Sequence, residues 1–163
     1  MRFTLVDKIV ALEAGKSITT IKNLSLAEEY LADHFPGFPV MPGVLMIEAL
    51  VQAGAWLARF SEDFANSTIL LKQARNVKFA SFVAPGQTLK IHAVIHDWSD
   101  REVTIKGTGM VDGTQTVSAK LTLERLNLRD RNPEMSRADE YQVRKLRDLF
   151  AQLWRSEKEM ETS

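Results

Sequence analysis

The chain has 163 residues, 45% of them apolar, enough to build one packed core in a single domain. Lys plus Arg and Asp plus Glu stand at 21 each, so the chain lacks the positive excess of a nucleic-acid binder, and no nucleic-acid partner is expected. Cysteine is absent, which excludes disulfides, thiolate metal sites and a cysteine nucleophile and is compatible with a reducing compartment; the cytoplasm is the expected location.

From the N-terminus, MRFTLVDKI carries charge and no long apolar run, so no secretory leader is expected. Residues 3–12 and 17–24 are strand-like and joined through Glu13-Ala14-Gly15-Lys16, which reads as a hairpin. Ser25-Leu26-Ala27-Glu28 matches a capping box and predicts a short helix from Ser25. Residues 33–56, DHFPGFPVMPGVLMIEALVQAGAW, then run from a Pro/Gly-punctuated loop into an apolar helix. Between Val44 and Ala58 nearly every side chain is apolar, and a helix hydrophobic all round belongs in the core. It is rather short for a bilayer and interrupted by Glu48 and Gln52, so no membrane span is expected.

Glu48 and Gln52 lie four residues apart and therefore share one helix face. A carboxylate in such a helix must find partners or stay protonated. His34 sits in a loop given a defined path by Pro36, Gly37, Pro39, Pro42 and Gly43. Pro42 and Gly43 fall where the helix starts, and the unpaired N–H groups there can polarise a substrate carbonyl. A loop histidine or a helix glutamate is ordinary by itself; His34, Glu48 and these amides together make an acid/base site.

After a polar connection at 61–67, strand patterning returns at 68–79, 88–98, 102–111 and 114–126. Pro85-Gly86, Ser99-Asp100 and Asp112-Gly113 separate the strands, and the last predicts a two-residue hairpin turn. Leu89, Ile91, Ala93 and Ile95 alternate with Lys90, His92, Val94 and His96, as one buried strand face requires. On a strand His92 and His96 stand roughly 13 Å apart, too far to share a metal ion. Gly107 and Gly109 lie in a strand pattern rather than a phosphate loop, and no GxSxG elbow occurs. No metal or cofactor is expected. From Asn127 the chain is charge-rich until Ser136, whose spacing from Asp139 predicts another helix start. Val143, Leu146, Phe150 and Leu153, with Leu149 and Trp154 beside them, give that helix one apolar stripe. It is expected to pack on its own assembly, with docking to another protein as the sharper alternative.

Within the central stretch, HFPGFPVMPGVLMIEALVQ closely resembles the signature of the β-hydroxyacyl-acyl carrier protein dehydratases of fatty-acid synthesis. The resemblance continues more weakly through LVDKIV and IKNLS before it and VKF and VAPGQTL after it, covering about 3–126. It implies an α+β hot-dog fold: an antiparallel sheet wrapped around one long apolar helix, here with a C-terminal helical extension. Two units follow, 1–126 as the hot-dog dehydratase domain and 127–163 as charged linker and amphipathic helix. The resemblance further implies a homodimer, or a trimer of dimers, with active sites at the subunit interface, where His34 of one chain works with Glu48 of the other.

The implied reaction is dehydration of (3R)-hydroxyacyl-acyl carrier protein to the trans-2-enoyl product, a hydro-lyase activity without cofactor, with the acyl carrier protein as partner. On that reading His34 is the base, Glu48 the acid, directly or through a water, and the Gly43 amide the carbonyl donor. Gln52 orients Glu48, and Phe35, Pro42 and Val44 complete the substrate-binding set. A sibling class that also isomerises the double bond carries Asp where Glu48 stands, so Glu48 favours the dehydratase-only class. The bifunctional enzyme, a hot-dog thioesterase and a non-catalytic partner subunit remain alternatives. Ala80 and Ser81 depart from the family's basic residues near where the acidic carrier approaches; Arg59, Lys72, Arg75 and Lys78 are the substitutes on offer.

Overall fold

The computed structural model describes residues 3–32 and 34–155; residues 1–2, Asp33 and 156–163 lie outside the described residues. Six strands, β1 (Lys8–Glu13), β2 (Ser17–Asn23), β3 (Thr68–Phe79), β4 (Thr88–Trp98), β5 (Glu102–Val111) and β6 (Thr114–Leu126), form one sheet in the order β1-β2-β4-β5-β6-β3. Every neighbouring pair is antiparallel. The sheet wraps around α1 (Gly43–Ser61), and a second helix, α2 (Ser136–Leu153), follows the last strand. This is the hot-dog arrangement.

α1 is long and apolar enough to cross a membrane, yet its side chains from Leu45 to Ala58 are mostly buried against the sheet. A Cβ built at Gly54 falls 2.0 Å from the Ile105 methyl and 3.3 Å from Leu123, so only glycine lets the helix settle this close to β5 and β6. Leu89, Ile91 and Ala93 of β4 are fully buried while Lys90, His92 and Val94 are exposed, the alternation read from the sequence. Asp112 (φ 49°) and Gly113 (φ 78°) form the tight turn that joins β5 to β6.

Three local expectations are corrected. β1 begins at Lys8 rather than residue 3, because the Gln52 side chain takes the ladder groups ahead of it: its Oε1 accepts from the Leu5 N–H (2.8 Å) and its Nε2 donates to the Phe3 carbonyl (2.8 Å). The capping box at Ser25 does not form. Ser25 Oγ accepts from the Ala27 N–H (3.1 Å), and Glu28 is held by Lys22, whose amine sits in a residue only 5% exposed and donates to Glu28 Oε1 at 2.8 Å. A buried ammonium needs its counter-ion more than a helix end needs a cap, and the helix shrinks to a 3-10 turn at Glu29–Leu31.

At the tail, α2 starts at Ser136 as expected, but the Ser136 side chain does not cap it. Asp139 instead turns inward, 1% exposed, and accepts from Ser67 Oγ and from the N–H groups of Leu128 and Arg129 (both 2.9 Å). Burial opposes the charged form of this carboxylate; the Ser67 hydroxyl, the two amides and the Arg129 guanidinium outweigh it and hold Asp139 below the usual carboxylate range. The apolar stripe of α2 packs on its own chain: the Phe150 ring lies 6.0 Å from Trp56, 5.5 Å from Phe60 and 5.6 Å from Phe64.

Candidate active site

The loop ahead of α1 is fixed by its own backbone. The Phe38 N–H donates to the Phe35 carbonyl (2.9 Å) across a turn with Gly37 at φ 83°, a left-handed conformation that a side chain would strain. The Val40 N–H then returns to the His34 carbonyl (3.1 Å), and the Met41 N–H is tied to Val83 (2.9 Å). His34 Nδ1 lies 3.0 Å from the Val40 carbonyl. A carbonyl oxygen only accepts, so Nδ1 must carry the proton of this bond, and in the neutral ring Nε2 is bare.

His34 borders a cavity of about 330 Å³ whose walls include Phe35, Met41, Gly43, Met46, Phe79 and Phe82. Ala80 and Ser81 lie on the same rim. Pro42 precedes the first turn of α1, and its carbonyl accepts from the Leu45 N–H (2.9 Å) and the Met46 N–H (3.2 Å). The N–H groups of Gly43 and Val44 stand too early in the helix for an intrahelical acceptor. At Gly43 a built Cβ would meet the Phe79 ring at 2.9 Å, so the bare backbone is what leaves room beside that ring. Val44 points outward, 72% exposed, and belongs to neither cavity described here.

Glu48 lies elsewhere in the single chain. Together with Gln52 it lines a second cavity of about 480 Å³ between α1, the segment leading into β1, and α2. Gln52 Nε2 donates to Glu48 Oε1 (3.2 Å) while the same side chain is pinned to Phe3 and Leu5, so its amide orientation is set by the backbone on one side and the carboxyl on the other. The single chain therefore joins His34 with Phe35 and Gly43, and Glu48 with Gln52, in two separate cavities. Arg59, offered above as a surface cation, is instead stacked over Trp56 (4.9 Å) inside the Glu48 cavity; burial pushes its guanidinium down to about 10 against the opposing influence of Glu62. Lys72 is committed to Glu102, which leaves Arg75 and Lys78 as the exposed cations of β3.

The family model for a FabA-like domain matches residues 1–120. The chain belongs to the FabA-like family. Among its relatives is the 3-hydroxyacyl-[acyl-carrier-protein] dehydratase FabZ of Rickettsia bellii, 41% identical over 121 residues, which cover 74% of this chain and 83% of that one. The enzyme of the same name from Pediococcus pentosaceus is 40% identical over 117 residues, 72% of this chain and 78% of that one. Among solved structures, the dehydratase heterocomplex ApeI:P from Xenorhabdus doucetiae superimposes with a TM-score of 0.65 at 18% identity, covering 82% of this chain and 90% of that one, a likeness of fold. The FabA-like match stops before α2, which begins at Ser136.

Phe79 and Phe82 were not singled out from the sequence as site residues. They wall the His34 cavity from the end of β3 and the loop after it, with Phe82 edge-on to Phe38 at 6.1 Å. Their signal is the spacing of two aromatics around Ala80 and Ser81 in FASF, which has meaning only once the chain has brought β3 back to the start of α1.

Proposed function

We propose that this member of the FabA-like family removes water from (3R)-hydroxyacyl chains carried as thioesters on acyl carrier protein, giving the trans-2-enoyl thioester. The observation that supports the mechanism is the Nδ1 bond of His34 to Val40: it leaves Nε2 of the neutral ring bare to act as the base, on a residue that borders the aromatic cavity. Nε2 takes the α-proton, and the charge that develops on the thioester oxygen is met by the unpaired N–H of Gly43 at the positive end of α1. Glu48 gives its proton to the β-hydroxyl, directly or through a water, and water leaves as the double bond forms. Gln52 positions the carboxyl for that transfer.

Because His34 and Glu48 line different cavities of one chain, the complete site is assigned to two chains, His34 from one protomer and Glu48 from the other. A homodimer, alone or in a trimer of dimers, also answers for β3. This twelve-residue edge strand leaves Leu70, Leu71, Val77 and Phe79 exposed, an open edge of the kind that a second copy covers. The cysteine-free chain is assigned to the cytoplasm. The test is direct: β-hydroxyacyl thioesters are supplied and the conjugated enoyl product is followed by its ultraviolet absorbance. His34→Ala and Glu48→Gln are each expected to lower turnover about 10²-fold or more with unchanged melting temperature. Wild-type rates in either variant would remove that residue from the mechanism.

A further inference from the structure

Glu48, Val51, Gln52, Ala55, Trp56 and Arg59 all face the 480 Å³ cavity, and their spacing of three and four residues makes them one continuous stripe of α1. From Glu48 to Arg59 the stripe runs about 16 Å along the helix axis, at the usual rise per residue. Its polar groups are engaged or sit at the ends: Gln52 is used up by Phe3, Leu5 and Glu48, and Arg59 lies over Trp56. Between the ends the stripe is apolar except for Gln52, with Val51, Ala55 and Trp56 lining the cavity. Leu146, Leu149 and Leu153, three residues of α2 at spacings of three and four, line the cavity as well. α2 is held there by the buried Asp139 anchor at its start and by the Phe150 contacts.

Resting on the proposed reaction, we infer that α2 forms the outer wall of the acyl-chain channel and sets the longest chain the site accepts. The argument is one of connectivity. The β-carbon carries both the hydroxyl that Glu48 protonates and the first carbon of the alkyl tail, so the tail begins two bonds from the oxygen that leaves beside Glu48. It must enter the space adjoining Glu48, and the adjoining space is an apolar groove that ends at Arg59. A saturated tail has no group to satisfy a guanidinium, so the groove suits chains that stop short of Arg59 and disfavours those that would have to displace it. Sites of this volume are ordinary for small ligands. What is particular here is that one wall comes from a helix lying beyond the FabA-like match.

The experiment changes Leu149, which is 37% exposed and so tolerates substitution, in the full chain. Rates are read with β-hydroxybutanoyl, β-hydroxydecanoyl and β-hydroxyhexadecanoyl thioesters. Leu149→Trp should fill the groove and lower kcat/KM for the longest chain roughly tenfold or more, while the butanoyl substrate stays within about twofold. Leu149→Ala should shift the profile the other way. A ratio of long- to short-chain kcat/KM that stays within about twofold of wild type in both variants overturns the inference. A loss common to all lengths, with the dimer broken by mass measurement, also overturns it, by making the groove an interface. Should Leu149→Trp fail to fold, Leu146→Ala replaces it with the same expected shift as Leu149→Ala. Separately, hexadecanoyl-pantetheine, whose acyl chain has no β-hydroxyl to lose, should move the methyl resonances of Leu146, Leu149 and Leu153. If those methyls do not move the channel is wrong; if they move while no length is dehydrated, the channel stands and the proposed reaction falls.

Discussion

Asp139→Ala is the sharpest probe of how the tail is fastened to the domain. The carboxylate is 1% exposed and receives three donors, Ser67 Oγ and the amides of Leu128 and Arg129. Hydrogen bonds to a charged acceptor contribute about 1.5–3 kcal/mol each, and removing the acceptor orphans all three donors. Water reaching the part-buried amides and relaxation of the turn recover some of this, so the expected cost is about 3–4 kcal/mol rather than the sum. For a chain of this size that corresponds to a fall in melting temperature of about 10 °C. The pH dependence has a definite sign. Asp139 is held below its ordinary value in the folded state, so its contribution is complete above the unfolded value near pH 4 and disappears as pH falls through the lower, folded one. Thermal melts at neutral pH and again near pH 3 should show a large gap between wild type and variant in the first and a smaller one in the second. A variant that melts within about 2 °C of wild type at neutral pH would refute the reasoning, because buried donors would then have been orphaned at no cost.

Two further outcomes follow from the packing. Gly43→Ala should displace the exposed Phe79 ring, the atom nearest the new methyl at 2.9 Å, into the His34 cavity; kcat/KM should fall about tenfold with the melting temperature nearly unchanged, and an unchanged kcat/KM would mean that the ring is not part of the site. Truncation after Leu126 should leave the strands paired, since all six end by that residue, but at lower stability because Trp56, Phe60 and Phe64 lose Phe150; a truncated chain without cooperative unfolding would make α2 part of the core and the 126/127 boundary wrong.

The features legible in the sequence are those decided by neighbours close along the chain. α1 declares itself because nearly every side chain from Val44 to Ala58 is apolar, and β4 because Leu89, Ile91 and Ala93 alternate with Lys90, His92 and Val94. His34 and Gly43 are nine residues apart on one loop, so their shared cavity is already implied by the prolines and glycines between them. The failures come from distant partners. Ser25 with Glu28, and Ser136 with Asp139, have capping-box spacing, yet Lys22 takes one carboxylate, and Ser67, 72 residues away from Asp139, helps take the other. β1 starts late because a glutamine on α1 competes for its backbone, a contact no periodicity encodes. Phe79 and Phe82 join His34 only through the return of β3. That His34 and Glu48 belong to different chains is an expectation from the resemblance, which no residue spacing encodes.

The central claim is that one active site draws His34 from one protomer and Glu48 from its partner, and mixing two inactive variants tests it most directly. His34→Ala and Glu48→Gln chains are refolded together in equal amounts and the mixed dimers counted by mass. With random pairing about half the dimers are mixed, and each mixed two-fold dimer holds one site with both wild-type residues and one with neither, so about a quarter of wild-type dehydratase activity should return. If both residues of a site came from one chain, every site in the mixture would lack one of them. Activity would then stay at the level of the separate variants despite the presence of mixed dimers, and that result would contradict the shared site.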